Sequence, residues 1–271
     1  MNKVKVRNGI VFGAKPLVFI AGPCVIESPE VTFDLAGRLV KLASLLGVPY
    51  IFKASFDKAN RTSLTSYRGP GLTEGLAVLK EIRDRFNVPV LTDIHEPSQA
   101  EPVAEVCEVL QIPAFLCRQT DLLVAAAKTG RVVNVKKGQF LAPEDMVNVI
   151  DKIRASGNDR IVLTERGASF GYHNLVADMR SLLIMREEGV PVVFDATHSV
   201  QRPGGAGKMS GGDGRWAPAL ARAAVATGCD GVFMETHVNP EQALSDKANA
   251  IAFKDLRKLW QTLIQIHELV G

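Results

Sequence analysis

The chain of 271 residues has no CxxC pair, no apolar run of bilayer length and no Gly-x-Gly-x-x-Gly fingerprint after an early strand. The first absence, with only four cysteines at positions 24, 107, 117 and 229, excludes a disulfide framework and makes a reducing, cytoplasmic setting the simpler expectation. Cys107, Cys117 and Cys229 read as packing residues. The second absence leaves no candidate membrane-spanning helix. The third argues against an open dinucleotide-binding sheet. Net charge is also scarce, at +3, so binding of nucleic acid by the whole surface is not expected. A Walker A loop is missing as well: within "RPGGAGKMSGGDG" (202–214) it would need Gly at 202 and Ser or Thr at 209, where Arg202 and Met209 stand.

What remains is the composition of a soluble protein with a large core, 46% hydrophobic and 23% charged. The opening segment "MNKVKVRNGIVFG" alternates polar and apolar residues and breaks at Asn8-Gly9, which reads as a β-hairpin over residues 1–13 rather than a signal peptide. Beyond it, eight short apolar runs recur: 16–21, 50–55, 89–94, 109–114, 132–137, 161–166, 192–197 and 231–236. Helical spacing lies between them, as in Leu35, Leu39, Ala43 and Leu46, or Phe253, Leu256, Trp260 and Leu263. Ser28-Pro29-Glu30 carries a helix start signal, and Ser98 with Glu101 has capping-box spacing. Continuous apolar strands alternating with helices predict parallel strands covered by helices, and eight units predict a closed (β/α)8 TIM barrel spanning residues 1–271 as a single domain. The stretch 202–214, with six glycines between 204 and 214, reads either as a mobile lid or as a flexible surface segment.

In such a barrel the C-terminal strand ends converge on one mouth. They offer Cys24, Lys53, Asp93, Gln111 with Arg118 beyond it, Lys136, Arg166, His198 and Glu235. Taken singly, each cation reads as a solvated loop charge, and each Asp or His as a cap. Together, Lys53, Lys58, Arg61, Arg118, Lys136 and Arg166 would crowd one mouth and repel unless anions were bound among them, which points to substrates carrying several negative charges. Cys24, directly after Gly22-Pro23, reads alone as a buried small hydrophobe, a nucleophile or a metal ligand. With His198, Glu235 and Asp246 it makes a donor set suited to Zn²⁺, Fe²⁺, Mn²⁺ or Co²⁺; unrelated packing and capping roles are the alternative.

The segments "AGPCVIES", "IFKASFDKANRTS", "TDIHE", "LQIPAFLCRQTDLL", "VNVKKGQF", "ERGASFGYHNLVADMRSL", "FDATHSVQRPGG" and "FMETHVNPEQALSD", in this order from about residue 16 to 250, resemble the 3-deoxy-D-manno-octulosonate 8-phosphate synthase family. The resemblance implies a (β/α)8 barrel that condenses phosphoenolpyruvate with D-arabinose 5-phosphate, releasing phosphate, for lipopolysaccharide biosynthesis. It implies catalytic roles for Lys53, Lys58, Asp93, Lys136 and His198. Lys136 and Arg166 would hold the phosphoenolpyruvate phosphate beside the backbone at Ala114, and Lys53 and Lys58 its carboxylate and reacting end. Asn60, Arg61 and Thr62 would receive arabinose 5-phosphate, whose phosphate would be shared with Arg118 of a neighbouring subunit in a homotetramer. Gln111, Asp93, Ser199 and Gln201 would support these contacts. Cys in the Gly-Pro-Cys motif, where a second class has Asn, implies the metal-dependent class with ligands Cys24, His198, Glu235 and Asp246. The sister family, 3-deoxy-D-arabino-heptulosonate 7-phosphate synthase, uses erythrose 4-phosphate and carries K-P-R-T-S where this chain has "KANRTS". Departures are Thr62 for a common Ser, His173 for Asn, and Val238 and Lys247 where Pro and Gly are usual. A Schiff-base aldolase using Lys53 or Lys136, and a non-catalytic phosphate-binding barrel, are the rival classes.

Overall fold

All eight apolar runs form strands that pair in parallel: β1 (Val18–Gly22), β2 (Tyr50–Lys53), β3 (Val90–Asp93), β4 (Val109–Ile112), β5 (Val132–Lys136), β6 (Ile161–Glu165), β7 (Val192–Asp195) and β8 (Gly231–His237). Neighbours in sequence are neighbours in the sheet, and β8 pairs with both β7 and β1, so the barrel closes as expected. These elements come from a computed structural model that describes residues 2–206 and 209–270. Outside lie α1 (Pro29–Leu46), α2 (Leu72–Phe86), α3 (Ala100–Val106), α4 (Thr120–Lys128), α5 (Val147–Ala155), α6 (Arg180–Glu187), α7 (Ala217–Thr227) and α8 (Phe253–Val270).

The strands are apolar throughout because each faces two cores. Val18, Ile20, Ile51, Leu91, Val109, Val132, Val162, Val193 and Phe233 fill the interior. The alternate positions, such as Phe19, Phe52, Leu110, Val133, Leu163 and Phe194, pack against the helices. Trp260 of α8 stacks on Phe19 with ring centroids 4.5 Å apart. The N-terminal hairpin pairs Val4–Lys5 with Val11–Phe12 around a turn in which Asn8 (φ 58°) and Gly9 (φ 75°) are both left-handed. Its Val4, Ile10 and Phe12 join the interior cluster and plug the end of the barrel opposite the mouth.

Ser28 caps α1 as the sequence implies, its Oγ accepting the Val31 N–H at 3.3 Å. The expected capping box of Ser98 and Glu101 is not formed. Pro97 nucleates a 3-10 turn, Pro97–Gln99, before α3, and the Gln99 side chain accepts the backbone N–H groups of His95 (2.7 Å) and Glu96 (3.4 Å) instead. The glycine-rich stretch also takes a more regular form than a loose loop. Gln201–Ala206 pairs with Met209–Gly212 as an antiparallel ribbon with an irregular register, Gly207 and Lys208 lying outside the described residues. A side chain at Gly212 would collide with Asn249, and one at Gly214 with the backbone of Ala248, so these glycines permit close packing.

Candidate active site

Alternation along the strands decides what reaches the mouth. Following the interior positions outward, Ile51 leads to Lys53, Leu91 to Asp93, Val109 to Gln111, Val193 to Asp195 and Phe233 to Glu235, each two residues on. On β5 and β6 the series runs through Asn134 to Lys136 and through Thr164 to Arg166. A hydrogen-bonded belt separates the apolar plug from the charged mouth: Thr164 donates to Asn134 (2.7 Å), which donates to Gln111 (3.2 Å). On β1 the interior series ends at Gly22, where a side chain would strike the Lys53 carbonyl of β2. This close approach turns the chain at Gly22-Pro23 and brings Cys24 to the rim.

Above the belt is a cavity of about 500 Å³ lined by Lys53, Lys58, Asn60, Arg61, Thr62, Asp93, Gln111, Ala114, Lys136, Arg166, His198, Gln201, Glu235 and Asp246 among others. Most expected site residues are therefore brought together, Cys24 lying buried beside the lining against Asp246. Two others are not. Arg118 is exposed and outside this cavity, because the 3-10 turn Ala114–Leu116 carries the chain outward over the rim to α4; the crowding of all six cations in one mouth is corrected accordingly. Ser199 is 2% exposed and turns its hydroxyl back to the Ala196 carbonyl at 2.9 Å, which makes it part of the local turn, not a cavity group.

The charges here are buried, so each must be paired. Lys53 Nζ donates to Glu235 Oε1 and to the Cys24 carbonyl, both at 2.9 Å, while Lys58 Nζ lies 3.8 Å from the same Glu235 oxygen. Lys136 Nζ donates to Asp195 Oδ2 at 2.5 Å and stands over the Phe233 ring, 3.8 Å from its centroid. Burial pulls the Lys136 ammonium below its ordinary value, with Lys53 adding to this and Asp195 opposing it. Arg166 donates through one Nη to Gln201 Oε1 at 2.9 Å. Its other Nη, and one Nη of Arg61, are buried with no hydrogen-bond partner among the described residues.

Across the cavity, one donor atom each from Cys24, Glu235 and Asp246 lies within 4.8 Å of the others. His198 Nε2 adjoins them, 3.6 Å from Glu235 Oε1 and 4.0 Å from Asp246 Oδ2. Cys24 Sγ donates to Asp246 Oδ2 (3.1 Å) and meets Ser245 Oγ (2.8 Å). Burial, with Asp246 and Glu235 nearby, pushes the Cys24 thiol well above its ordinary value. Burial also opposes ionisation of Glu235, but Lys53, His198, Lys58 and Lys136 hold its carboxyl well below the usual range. Among the described residues its Oε2 is buried without a partner. An orphaned carboxylate oxygen beside a thiol, an imidazole nitrogen and a second carboxylate fits a borderline divalent cation, whose charge would also favour the thiolate. Asp246 is presented from a left-handed residue (φ 47°) whose carbonyl accepts the N–H groups of Asn249 and Ala250.

Sequence reasoning passed over Asp195. It is fully buried at the interior end of β7, and its Oδ2 accepts from His198 Nδ1 (2.7 Å) as well as from Lys136. The period-two step from the interior Val193 is the signal that points to it. Also missed were His95, on Asp93 Oδ2 at 3.1 Å, Ser55, on Asp93 Oδ1 at 2.5 Å, and Glu27, whose Oε1 accepts the Leu244 N–H and so anchors the loop leading to Asp246.

The comparison with known proteins agrees with the resemblance read from the sequence. Residues 2–270 match the model of the DAHP synthetase I family. Proteins named 2-dehydro-3-deoxyphosphooctonate aldolase are similar over nearly their whole length: that of Geobacter metallireducens is 59% identical over 268 residues, covering 99% of this chain and 98% of its own. That of Pelobacter propionicus is 59% identical over 271 residues, with both chains fully covered, and that of Trichlorobacter lovleyi 60% over 258, with 95% of each covered. With a family match over almost every residue and relatives at this identity and coverage, the chain belongs to the DAHP synthetase I family.

Proposed function

We propose that the chain is a transferase that condenses phosphoenolpyruvate with D-arabinose 5-phosphate and water, giving 3-deoxy-D-manno-octulosonate 8-phosphate and inorganic phosphate for lipopolysaccharide biosynthesis. The observation that carries this reading is one cavity lined both by the cations Lys53, Lys58, Arg61, Lys136 and Arg166 and by His198, Glu235 and Asp246, with Cys24 packed against Asp246 beside it. The name borne by the relatives agrees with it.

Lys136 and Arg166, beside Ala114, take the phosphoenolpyruvate phosphate, and Lys53 and Lys58 its carboxylate and reacting end. Asn60, Arg61 and Thr62, on the loop after β2, receive the sugar phosphate. Water adds to C2 of phosphoenolpyruvate while C3 attacks the sugar aldehyde, whose oxygen takes up a proton. The resulting linear intermediate collapses by C–O cleavage, expelling phosphate and leaving the C2 ketone. The fixed cations offset both phosphates and the carboxylate and hold the reacting carbons together. Asp93, which accepts from Ser55 and His95, and Gln111 position the neighbouring polar groups. Cys24, His198, Glu235 and Asp246 are the residues to hold a divalent ion, which when bound supplies Lewis acidity at the sugar carbonyl or the water. The ribbon over the mouth and the loop carrying Lys58 to Arg61 exclude bulk water.

Homotetramer assembly and a cytoplasmic setting belong to the same proposal. Arg118 lies exposed outside its own cavity, and Phe115, Phe140 and Phe170, on the loops after β4, β5 and β6, are exposed too, which supports a neighbouring subunit at this rim. The cysteines are free, and among the described residues no helix is long and apolar enough to cross a membrane.

Phosphate release from phosphoenolpyruvate, measured with either arabinose 5-phosphate or erythrose 4-phosphate and with or without a chelator, tests the reading. Release is expected with arabinose 5-phosphate and its loss on chelation. Preference for erythrose 4-phosphate would sink the substrate assignment, and full activity in demonstrably metal-free protein would sink the metal.

A further inference from the structure

The two halves of the cavity are joined by two bridges, one buried and one part-buried, each linking one cation of the anion-binding half to one member of the metal-ligand cluster. Asp195 makes the first. Its Oδ2 accepts both from Lys136 Nζ (2.5 Å) and from His198 Nδ1 (2.7 Å). Its Oδ1 accepts the His198 N–H (2.9 Å) and the Thr197 hydroxyl (3.1 Å), so the carboxylate is fully satisfied and held in one orientation. Because a carboxylate only accepts, Nδ1 of His198 carries a proton, and Nε2 is the ring atom left to face Glu235 and Asp246. Gln201 makes the second bridge: its Oε1 accepts from Arg166 (2.9 Å), and its Nε2 donates to Asp246 Oδ1 (3.3 Å).

We infer that Asp195 and Gln201 are positioning residues that couple metal binding to phosphoenolpyruvate binding, so that each tightens the other. This rests on the metal and substrate reading proposed above. The sign follows from competition for shared atoms. A dication drawing on Nε2 polarises Nδ1–H toward Asp195 Oδ2, which loosens that oxygen's hold on Lys136 and frees the ammonium for a phosphate. A phosphate that takes Lys136 leaves Oδ2 to His198 and makes Nε2 the better donor. The amide of Gln201 transmits in the same sense: a dication on Asp246 weakens the bond that Oδ1 accepts from Gln201 Nε2, and with it the bond that Gln201 Oε1 accepts from Arg166, freeing that guanidinium for a phosphate. Coupling through shared groups is reciprocal: metal must raise phosphoenolpyruvate affinity by the factor by which phosphoenolpyruvate raises metal affinity.

Co²⁺ provides the probe, because its absorption with a thiolate ligand reports binding at Cys24 without turnover. Co²⁺ would be titrated into the metal-free protein with and without saturating phosphoenolpyruvate, and phosphoenolpyruvate affinity measured by calorimetry with and without Co²⁺. In the unsubstituted chain both affinities are expected to rise by the same factor, about tenfold. In Asp195→Asn combined with Gln201→Leu the Co²⁺ band should persist while the factor falls to about twofold or less, the residue left by charge attraction across the cavity. Should the double variant not fold by circular dichroism, Gln201→Leu alone decides, with a partial fall expected. An undiminished factor in a folded variant overturns the inference, as does an unsubstituted chain that binds Co²⁺ indifferently to phosphoenolpyruvate. Failure of the unsubstituted chain to bind Co²⁺ at all overturns the metal reading and the inference with it.

Discussion

Lys136 of β5 and Asp195 of β7 meet inside the barrel across the end of β6, Nζ to Oδ2 at 2.5 Å. The two belong to alternate strands, and alternate strands contribute interior side chains to the same layer. The ion pair is therefore set by barrel geometry, and it fixes the only carboxylate within hydrogen-bonding reach of the Lys136 ammonium among the described residues.

The pairing bears on the aldolase alternative. A Schiff-base lysine must be free and neutral to attack a carbonyl. Burial does lower the Lys136 ammonium, but Asp195 holds it in a hydrogen-bonded pair, and Lys53 is held likewise by Glu235. Borohydride added during turnover is expected to leave the protein mass unchanged. A covalent adduct on Lys53 or Lys136, located by peptide mass, would reverse that conclusion.

Cys24→Asn addresses the metal ligands. Loss of the sulfur should lower bound metal at least tenfold, given the usual penalty for disturbing a metal-site residue, while some phosphate release persists, since the resemblance includes a class with Asn at this position. Elemental analysis of the purified variant checks it; an unchanged metal content would remove Cys24 from the ligand set.

Gly22→Ala tests the close approach of β1 to β2. The new methyl would meet the Lys53 carbonyl, and backbone cannot rotate away as a side chain can. Stability should fall by about 1–3 kcal/mol, as for overpacking elsewhere, with metal affinity falling as Cys24 is displaced. A urea midpoint equal to that of the unsubstituted chain would show that the strands can separate freely.

Acid stability follows from Asp93. Burial opposes its ionisation, but the hydrogen bond and charge of His95, with Lys58 and Lys53, hold its carboxyl well below the usual range. A depressed folded-state value means stability that is present above the unfolded-state pKa near ~3.9 and lost as pH falls through the folded one. Between about pH 6 and about pH 3, Asp93→Asn should therefore lose less of its urea midpoint than the unsubstituted chain. Equal losses would indicate that Asp93 contributes nothing to the acid transition.

What the sequence determined by itself is the barrel and the direction of its interior residues. Strand number, strand order and closure all follow from local hydrophobic runs and short connections, and the step of two from Ile51 to Lys53 or from Phe233 to Glu235 follows from the pleat alone. Only tertiary structure decided which polar groups meet. Cys24 and Asp246, separated by 222 positions, touch because β1 closes against β8 and the loop after β8 folds back. Arg118 and Ser199 follow strand ends as closely as several cavity residues do, yet local 3-10 turns send one outward and the other back into its own loop. Gly212 and Gly214 likewise look loose in one dimension and prove to make room for Asn249 and Ala248 in three. Periodicity gives the direction of a side chain from a regular element; past the strand ends, the path of each loop is set by contacts with residues far away in the chain, and those contacts exist only once the barrel is closed.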